Sequence, residues 1–409
     1  MPKEYKDIVV GLDIGTAKIM AVVAEVQPGG TLKLAGLGVA PSNGLKRGVV
    51  VNIDATVQSI QHALKEAELM ADCRIARVYT GITGSHIRGI NSQGMVAIKD
   101  KEVMPADVAR VIETAKAINI STDQRLLLVE PQEFVIDGQE VKEPIGMSGV
   151  RLEAKVHIVT GAQSAAENII KCVRRCGLEV DQLMLNPLAA SQAVLTEDEK
   201  ELGVALVDIG AGTTDVAIFA GGAIRHTAVI PIAGDLITND IAMALRTPTK
   251  DAEDIKVESG CAKQLLADPD QQVEVPGLGD RGPRMLSRQA LAGVIEPRVE
   301  EIFALVQGVI RDSGHEELLS SGIVLTGGSA VMPGMIELGE DIFLKPVRRG
   351  MPKYTGVLSD MVAQPRAATV MGLLEEARLA RLRGHKVAQK AGTVSSAFGR
   401  LKDWFVGNF

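Results

Sequence analysis

Cysteine is scarce in this chain: Cys73, Cys172, Cys176 and Cys261 are all there is. Cys172 and Cys176 stand four apart on an expected helix, but no second pair completes a zinc site, so buried free thiols in a reducing compartment are expected. Basic charge is also short. Lys and Arg number 44 against 51 Asp and Glu, a net charge of −7 with a pI near 5.6, so the bulk surface offers no general basic face and no nucleic-acid partner is expected. Long apolar runs are missing too: the longest charge-free stretch, 318–336, is broken by Gly327, Gly328, Pro333 and Gly334 and fails as a lipid-facing span of about 20 residues. Residues 1–7 are charged and lead directly into an expected strand, which leaves no h-region for a signal peptide and argues against export. Neither GxxxxGK[ST] nor a GxGxxG opening a helix after a strand occurs, so the commonest phosphate-binding designs lack support.

A motif stands in their place, and it occurs twice. Asp13-Ile14-Gly15-Thr16, in DIGTAK, is echoed almost half the chain later by Asp208-Ile209-Gly210, in DIGAGTTD. Each follows an apolar run, IVVGL or VALV, and precedes another, KIMAVVAEV or VAIFA, which reads as strand, glycine turn, strand. At such a tip glycines let the backbone approach a ligand, and successive N–H groups form a nest suited to a phosphate chain. An aspartate there would repel phosphate but can hold Mg²⁺ through water while the metal bridges the phosphates. Alone, Asp-x-Gly is an ordinary hairpin turn; duplication favours a clamp that grips a nucleotide from both sides. A third apolar strand enters Thr326-Gly327-Gly328-Ser329-Ala330, where bare backbone suits an adenine or ribose.

At 409 residues the prior is two to four domains. Strands are expected at 31–40 and 78–82, with a helix at 54–71 carrying Val57, Ile60, Leu64 and Ala67 on one face. From Ser85 the pattern changes. A helix over 105–118 precedes a strand at 151–160 with Leu152, Ala154, Val156 and Ile158 on one side and Glu153, Lys155 and His157 on the other, a half-buried strand of an inserted domain. Helices are expected across 162–195, the second opening at Leu185-Asn186-Pro187. Residues 237–310 form a more polar second insertion with helices at 252–267 and 286–310, and the chain's core closes with the TGGSA strand, the segment 347–357 and a helix over 365–382.

Beyond Leu382 the chain turns polar, then ends in AFGRLKDWFVGNF, which holds three of the seven phenylalanines and the sole tryptophan. On a helix Phe398, Leu401, Trp404, Phe405 and Phe409 share a face. Lys386, Lys390, Arg400 and Lys402 oppose only Asp403. A terminal helix docked on its own core is the alternative, but the aromatic concentration, the preceding linker and the local positive charge favour a reversible anchor at an anionic lipid surface.

DIGTAK, DIGAGTTD and TGGSA together resemble the phosphate and adenosine elements of the actin, Hsp70 and sugar-kinase superfamily. Within it, AELMADCRIARVY, GMSGVRLEAKVHIVTGA, CGLEVDQL, LTEDEKELGVALVDIGAGTTD, VIPIAGDLIT and VIEPRVEE are similar to FtsA, the family of bacterial cell-division actin homologues, and the resemblance spans the chain. The passage from Ala40 to the helix at 54 in a dozen residues, with the extra domain after Ser85 instead, agrees with that family.

The resemblance implies an α/β, duplicated actin-like (ribonuclease H-like) ATPase fold with two inserted smaller domains and a C-terminal amphipathic helix. Subdomain 1A would comprise 1–84 and 160–200, 1C 85–159, 2A 201–242 and 305–382, and 2B 243–304, with 383–409 a linker and membrane-targeting helix. It implies ATP and Mg²⁺ as cofactors. Asp13, Gly15, Thr16 and Lys18 belong to the first phosphate loop, and Asp208, Gly210, Gly212, Thr213 and Thr214 to the second. Gly327, Gly328 and Ser329 would face the adenosine, and Asp13 and Asp208 the metal. Glu253 and Lys256 share a helical face where the superfamily places ribose and adenine contacts; by themselves they read as a solvated salt bridge. Asp208 and Asp215 are candidates for the metal and the attacking water. Asn186 stands where strongly active relatives offer Gln or Glu, so hydrolysis is expected to be slow or conditional.

Function follows as an expectation: polymerisation on the cytoplasmic face of the inner membrane at the division septum, tethering FtsZ filaments and helping to assemble the other divisome proteins there. The implied partners are the FtsZ C-terminal peptide, further copies of the chain and anionic lipids. Arg284, Arg288 and Arg298 are candidates for the peptide's acidic groups or else solvated charge. A soluble small-molecule kinase of the same superfamily is the alternative; it would have no use for the tail.

Overall fold

A computed structural model describes residues 7–279 and 281–383. The proposed membrane residues Phe398, Leu401, Trp404, Phe405 and Phe409 lie outside the described residues.

The duplication seen in two short motifs extends to whole sheets. In the first half, β1 (Ile8–Ile14), β2 (Lys18–Val26) and β3 (Leu32–Pro41) form an antiparallel meander. A two-residue ribbon, β4 (Leu45–Lys46) and β5 (Val49–Val50), leads to α1 (Ile53–Ala71), which Asn52 caps by accepting from the N–H of Ala55 at 3.0 Å. Then β6 (Arg77–Ile82) joins β1 in parallel.

An inserted sheet follows: β7 (Arg88–Ala97), α2 (Pro105–Ala115), β8 (Gln124–Ile136), β9 (Gln139–Val141) and β10 (Arg151–Ala162), in strand order β7-β10-β8-β9. Val108, Val111, Ile112 and Ala115 of α2 bury against Leu152, Ala154, Val156 and Ile158 of β10. Helix α2 stops three residues short of the expected 118. The opposite side of β10 is not simply a solvent face, because His157 is 1% exposed and packed against the chain's second half.

The first half closes with α3 (Gln163–Arg175), β11 (Glu179–Leu185) and α4 (Asn186–Val194). Strand β11 corrects the expectation of helices throughout 162–195. Its half-buried residues pair in parallel with β6 alone, at the sheet edge. The short α5 (Glu197–Leu202), held by a Thr196/Glu199 capping box, crosses to the second half.

There β12 (Val204–Ile209), β13 (Thr214–Ala220) and β14 (Ala223–Ile230) repeat the meander. Helices α6 (Gly234–Leu245) and α7 (Thr249–Ser259), the ribbon β15 (Gln272–Val275) and β16 (Arg284–Ser287), and the long α8 (Arg288–Asp312) follow. Helix α7 ends at Ser259, not at the expected 267, because Gly260 caps it. Then come β17 (Ile323–Thr326), α9 (Met335–Phe343), β18 (Val347–Arg349), α10 (Ser359–Val362) and α11 (Ala368–Leu382). The sheet orders β3-β2-β1-β6-β11 and β14-β13-β12-β17-β18 are the same topology twice.

The last helix crosses back. Val370, Leu373, Leu374 and Ala377 of α11 pack with Val9, Met20, Val22, Leu37 and Tyr79, so α11 covers the first-half sheet although the sequence division placed 305–382 with the second half. The reason is steric fit: a Cβ on Gly372 would lie 1.6 Å from the Ala189 carbonyl oxygen, so the glycine lets α11 touch the α4 backbone.

Candidate functional site

The two glycine turns are built alike. The N–H of Gly15 donates to the Lys18 carbonyl at 3.0 Å, and that of Gly210 to the Thr213 carbonyl at 2.9 Å, so each loop closes on its fourth residue. The turns meet: a Cβ on Gly212 would stand 2.7 Å from Thr16 Oγ1 and 2.9 Å from Arg47 Cα. Thr16 Oγ1 also accepts from the Gly48 N–H at 3.1 Å.

Below the tips lies a buried charge cluster. Asp13, Asp208 and Asp215 are each 8% exposed or less. Burial pushes the Asp13 carboxyl up to about 6, against the opposing pull of Lys18. Asp208 also rises to about 6, by burial and then by the charge of Asp13. Asp215 rises to about 8, by burial and the neighbouring Asp208. Burial lowers Lys18 to about 8, and its ammonium donates to the Arg366 carbonyl at 2.6 Å. Asp13 and Asp208 share the one lysine, and with Asp215 beside them they make a carboxyl-rich place whose charge a hard cation would neutralise. Among the described residues, however, no group of three His, Cys, Asp or Glu side chains could hold a metal ion by itself. A divalent ion here would therefore complete its shell with water or ligand oxygens, the habit of Mg²⁺.

The third turn and the α6–α7 region adjoin the second loop. Ser329 Oγ donates to the Gly210 carbonyl at 3.0 Å, and the N–H groups of Gly234 and Asp235, opening α6, donate to Gly210 and Ala211 at 3.1 and 2.8 Å. Gly327, at φ +88, lies where a Cβ would meet Asp208 Oδ1 at 2.3 Å, whereas Gly328 faces open space. Lys256 reaches the Gly234 carbonyl at 3.2 Å while bonding Glu253 at 2.6 Å; Glu253 in turn accepts from Thr238. The pair is thus no free-standing surface salt bridge. Thr214 turns away from the tip, its hydroxyl donating to the Ile232 carbonyl at 2.7 Å.

Asn186 heads α4 beside Gly81, and its Oδ1 is a buried acceptor without a partner. Sequence reading missed Thr83 and Thr369, whose hydroxyls donate to Asp215 and, at 3.2 Å, to Asp208. Neither lies in a glycine motif, so no local signal marks them.

The three arginines lie apart from this cluster, and each already has partners. Arg284 donates to the Leu245 carbonyl; Arg288 donates to the Ser259 carbonyl at 2.9 Å; Arg298 grips Asp240 at 2.5 and 3.1 Å and also pairs with Glu301. Asp240 lines a cavity of about 540 Å³ with Leu236, Asn239, Met243, Arg246 and Leu278.

Comparison with known proteins agrees with this architecture. Solved structures of similar fold include the PilM–PilN type IV pilus biogenesis complex (TM-score 0.67, 18% identity, 90% of this chain and 98% of that one). MreB5 of Spiroplasma citri bound to ADP matches with TM-score 0.57 and 16% identity over 92% and 99% of the two chains. The MamK double helical filament matches with TM-score 0.53 and 12% identity over 91% and 99%. The fold is therefore actin-like. The family described as "SHS2 domain inserted in FTSA" matches residues 84–160, and that described as "Cell division protein FtsA" matches 205–372. Cell division protein FtsA of Pseudomonas aeruginosa is 56% identical over 98% of both chains, that of Neisseria meningitidis serogroup B 52% over 97% of this chain and 98% of the relative, and that of Escherichia coli K12 46% over 99% of both. With identity at this level running nearly end to end, and with the inserted sheet in the same place, the chain belongs to the FtsA family of cell-division proteins.

Proposed function

We propose that the chain binds ATP with Mg²⁺ at the two glycine turns and that nucleotide binding governs its assembly into filaments. The observation that carries this is the meeting of Gly212 with Thr16 above buried Asp13 and Asp208 and half-buried Lys18. The Gly15, Thr16, Gly210, Gly212 and Thr213 backbone would hold the phosphates, with Lys18 as the counter-charge; Ser329, Gly327 and Gly328 would take the adenosine, and Glu253 and Lys256 the ribose. Asp13 and Asp208 would hold Mg²⁺, which when bound neutralises phosphate charge. Thr214 would serve the site by fixing β13. Asp215 and Asn186 would orient the attacking water. The short Asn186 side chain makes slow or conditional hydrolysis the expected outcome. The relatives support the reading: MreB5 was solved with ADP and with AMPPNP, and MamK as a double helical filament.

For the cellular role, the aromatic and basic residues at 398–409 would attach the protein to anionic lipid on the cytoplasmic face of the inner membrane at the septum. One short segment binds weakly, and a filament multiplies the attachment. The cavity beside Arg298 would receive the FtsZ C-terminal peptide, tethering FtsZ filaments to the membrane. No described helix is long and apolar enough to cross a membrane.

The test is sedimentation of the full-length protein and a version ending at Gly392 with anionic vesicles, each with and without Mg-ATP. Pelleting of the full-length protein alone, strengthened by Mg-ATP, is expected. If both forms stay in the supernatant in every condition, the tether is wrong.

A further inference from the structure

Thr83 of the first half and Thr369, at the seam where α11 begins, hold two aspartates of the second half. Thr83 directly follows β6, and its Oγ1 donates to Asp215 Oδ1. Thr369 is the second residue of α11, which packs on the first-half sheet, and its Oγ1 donates to Asp208 Oδ2 at 3.2 Å. All four side chains are buried, each at most 8% exposed. A hydroxyl bond to a buried carboxyl group is directional, since the donor fixes which oxygen faces it; the Thr83 contact is the closer of the two and the Thr369 contact, at 3.2 Å, the looser.

Thr83 also reaches the first glycine turn through Gly48, in the β4–β5 ribbon. A Cβ on Gly48 would meet Thr83 Cγ2 at 3.0 Å, and the Gly48 N–H donates to Thr16 Oγ1 at 3.1 Å. A packed path therefore runs from Thr16 through Gly48 and Thr83 to Asp215. Thr369 has a comparable setting. The Arg366 carbonyl, three residues before it, accepts from Lys18 at 2.6 Å, and the Pro365 carbonyl accepts from the Gly327 N–H at 3.3 Å. The start of α11 thus contacts all three glycine turns.

We infer that Thr83 and Thr369 are positioning residues that tie the second-half carboxyl groups to the first half, Thr83 directly and Thr369 through the body of α11 on the first-half sheet, and so make ligand capture at the glycine turns dependent on closure of the two halves. The functional part rests on the nucleotide reading above; the clasp itself rests on the hydrogen bonds alone. A ligand engaging Thr16 or Lys18 presses on the elements that orient Asp215 and Asp208. A first half that has swung away leaves those carboxylates unoriented, which weakens any cation they share with a phosphate.

The experiment uses the full-length protein as wild type, Thr83→Val, Thr369→Val and the corresponding Thr→Ser variants. Amide hydrogen exchange across 208–215 is followed without nucleotide, and a fluorescent ATP analogue is titrated with and without Mg²⁺. Folding of each variant is checked by its thermal transition. The Val variants, matched in shape but lacking the hydroxyl, are expected to exchange faster at 208–215 and to lose about tenfold in the Mg²⁺ enhancement of nucleotide affinity. Serine should restore both. Folded Val variants with wild-type exchange and wild-type Mg²⁺ enhancement overturn the inference, as does failure of serine to rescue. If exchange rises in the Val variants while the wild type binds no nucleotide, the clasp stands and the nucleotide reading falls.

Discussion

Asp208 and Asp215 face each other in register across the β12–β13 hairpin, and the equivalent pair in the first half is Asp13 and Met20. Residues directly opposite in an antiparallel pair point to the same face, so the second hairpin carries two carboxyl groups where the first carries one and a core methionine. The duplicated halves are therefore not equivalent in chemistry: the carboxyl group proposed to orient water, Asp215, has no counterpart at Met20. Like carboxylates side by side in a buried place are costly. Asp215→Asn is accordingly expected to raise the melting temperature of the nucleotide-free protein above pH 8, where Asp215 ionises, by about 1 °C, on the order of 1 kcal/mol, while abolishing the proposed ATP hydrolysis. Calorimetry and phosphate release read the two effects separately. A lower melting temperature would contradict the proposed repulsion.

Two glycines in helices should respond oppositely to alanine. Gly372 is where α11 meets the α4 backbone, and a Cβ there would overlap the Ala189 carbonyl; Gly308 in α8 has nothing within 4 Å of its would-be Cβ. Gly372→Ala is expected to destabilise the protein by about 3 kcal/mol or more. Gly308→Ala should stabilise by roughly 0.5 to 1 kcal/mol through helix propensity. Denaturant unfolding of both variants checks the pair.

These glycines also mark where the sequence was legible. DIGTAK and DIGAGTTD announce their hairpins because the turn chemistry is local, and the apolar face of α1 announces its helix because the period is local. Strand β11 was hidden: Glu179–Leu185 is only partly buried and pairs along one edge, so its apolar pattern is weak. The place of α11 depends on Gly372 meeting Ala189, a contact between residues far apart in the chain. Thr83 and Thr369 were invisible for the same reason, since a single hydroxyl has no signature until the fold sets a carboxylate beside it.

His157 should make stability sensitive to acid. It is buried between Asn91, at 2.6 Å from Nδ1, and Thr227, at 2.9 Å from Nε2, at the seam between the inserted sheet and β14. Burial, aided by His226 and His315, lowers it from 6.5 to about 4. The folded form therefore binds its proton less readily than the unfolded chain: the contribution is complete above 6.5 and is lost as pH falls from 6.5 towards 4, by on the order of 3 kcal/mol. The buried aspartates, whose folded values are raised, act in the opposite sense, gaining stability as pH falls. Wild type must therefore be compared with His157→Gln, and the difference in melting temperature should shrink on acidification. A difference that is constant from pH 7 to 4.5 would remove His157 as the cause.

Arg298 should govern capture of an acidic peptide without being free in the resting protein. Its guanidinium is held by Asp240, a wall of the neighbouring cavity, and by Glu301, so an arriving carboxylate must displace or join those partners. Such exchange favours a planar, bidentate donor. Arg298→Glu is expected to weaken binding of the FtsZ C-terminal peptide at least about tenfold, and to lower stability as well, because three acidic groups then crowd one place. The double change Asp240→Arg with Arg298→Glu separates the two effects. Reversing the ion pair should recover most of the melting temperature, yet a carboxylate at position 298 would still repel the peptide's acidic groups. Fluorescence anisotropy with labelled peptide reads this directly: restored stability with binding still weak assigns the peptide's acidic groups to position 298, restored binding means that a guanidinium at 240 on the cavity wall serves as well, and wild-type binding by the single Arg298→Glu variant would place the peptide elsewhere.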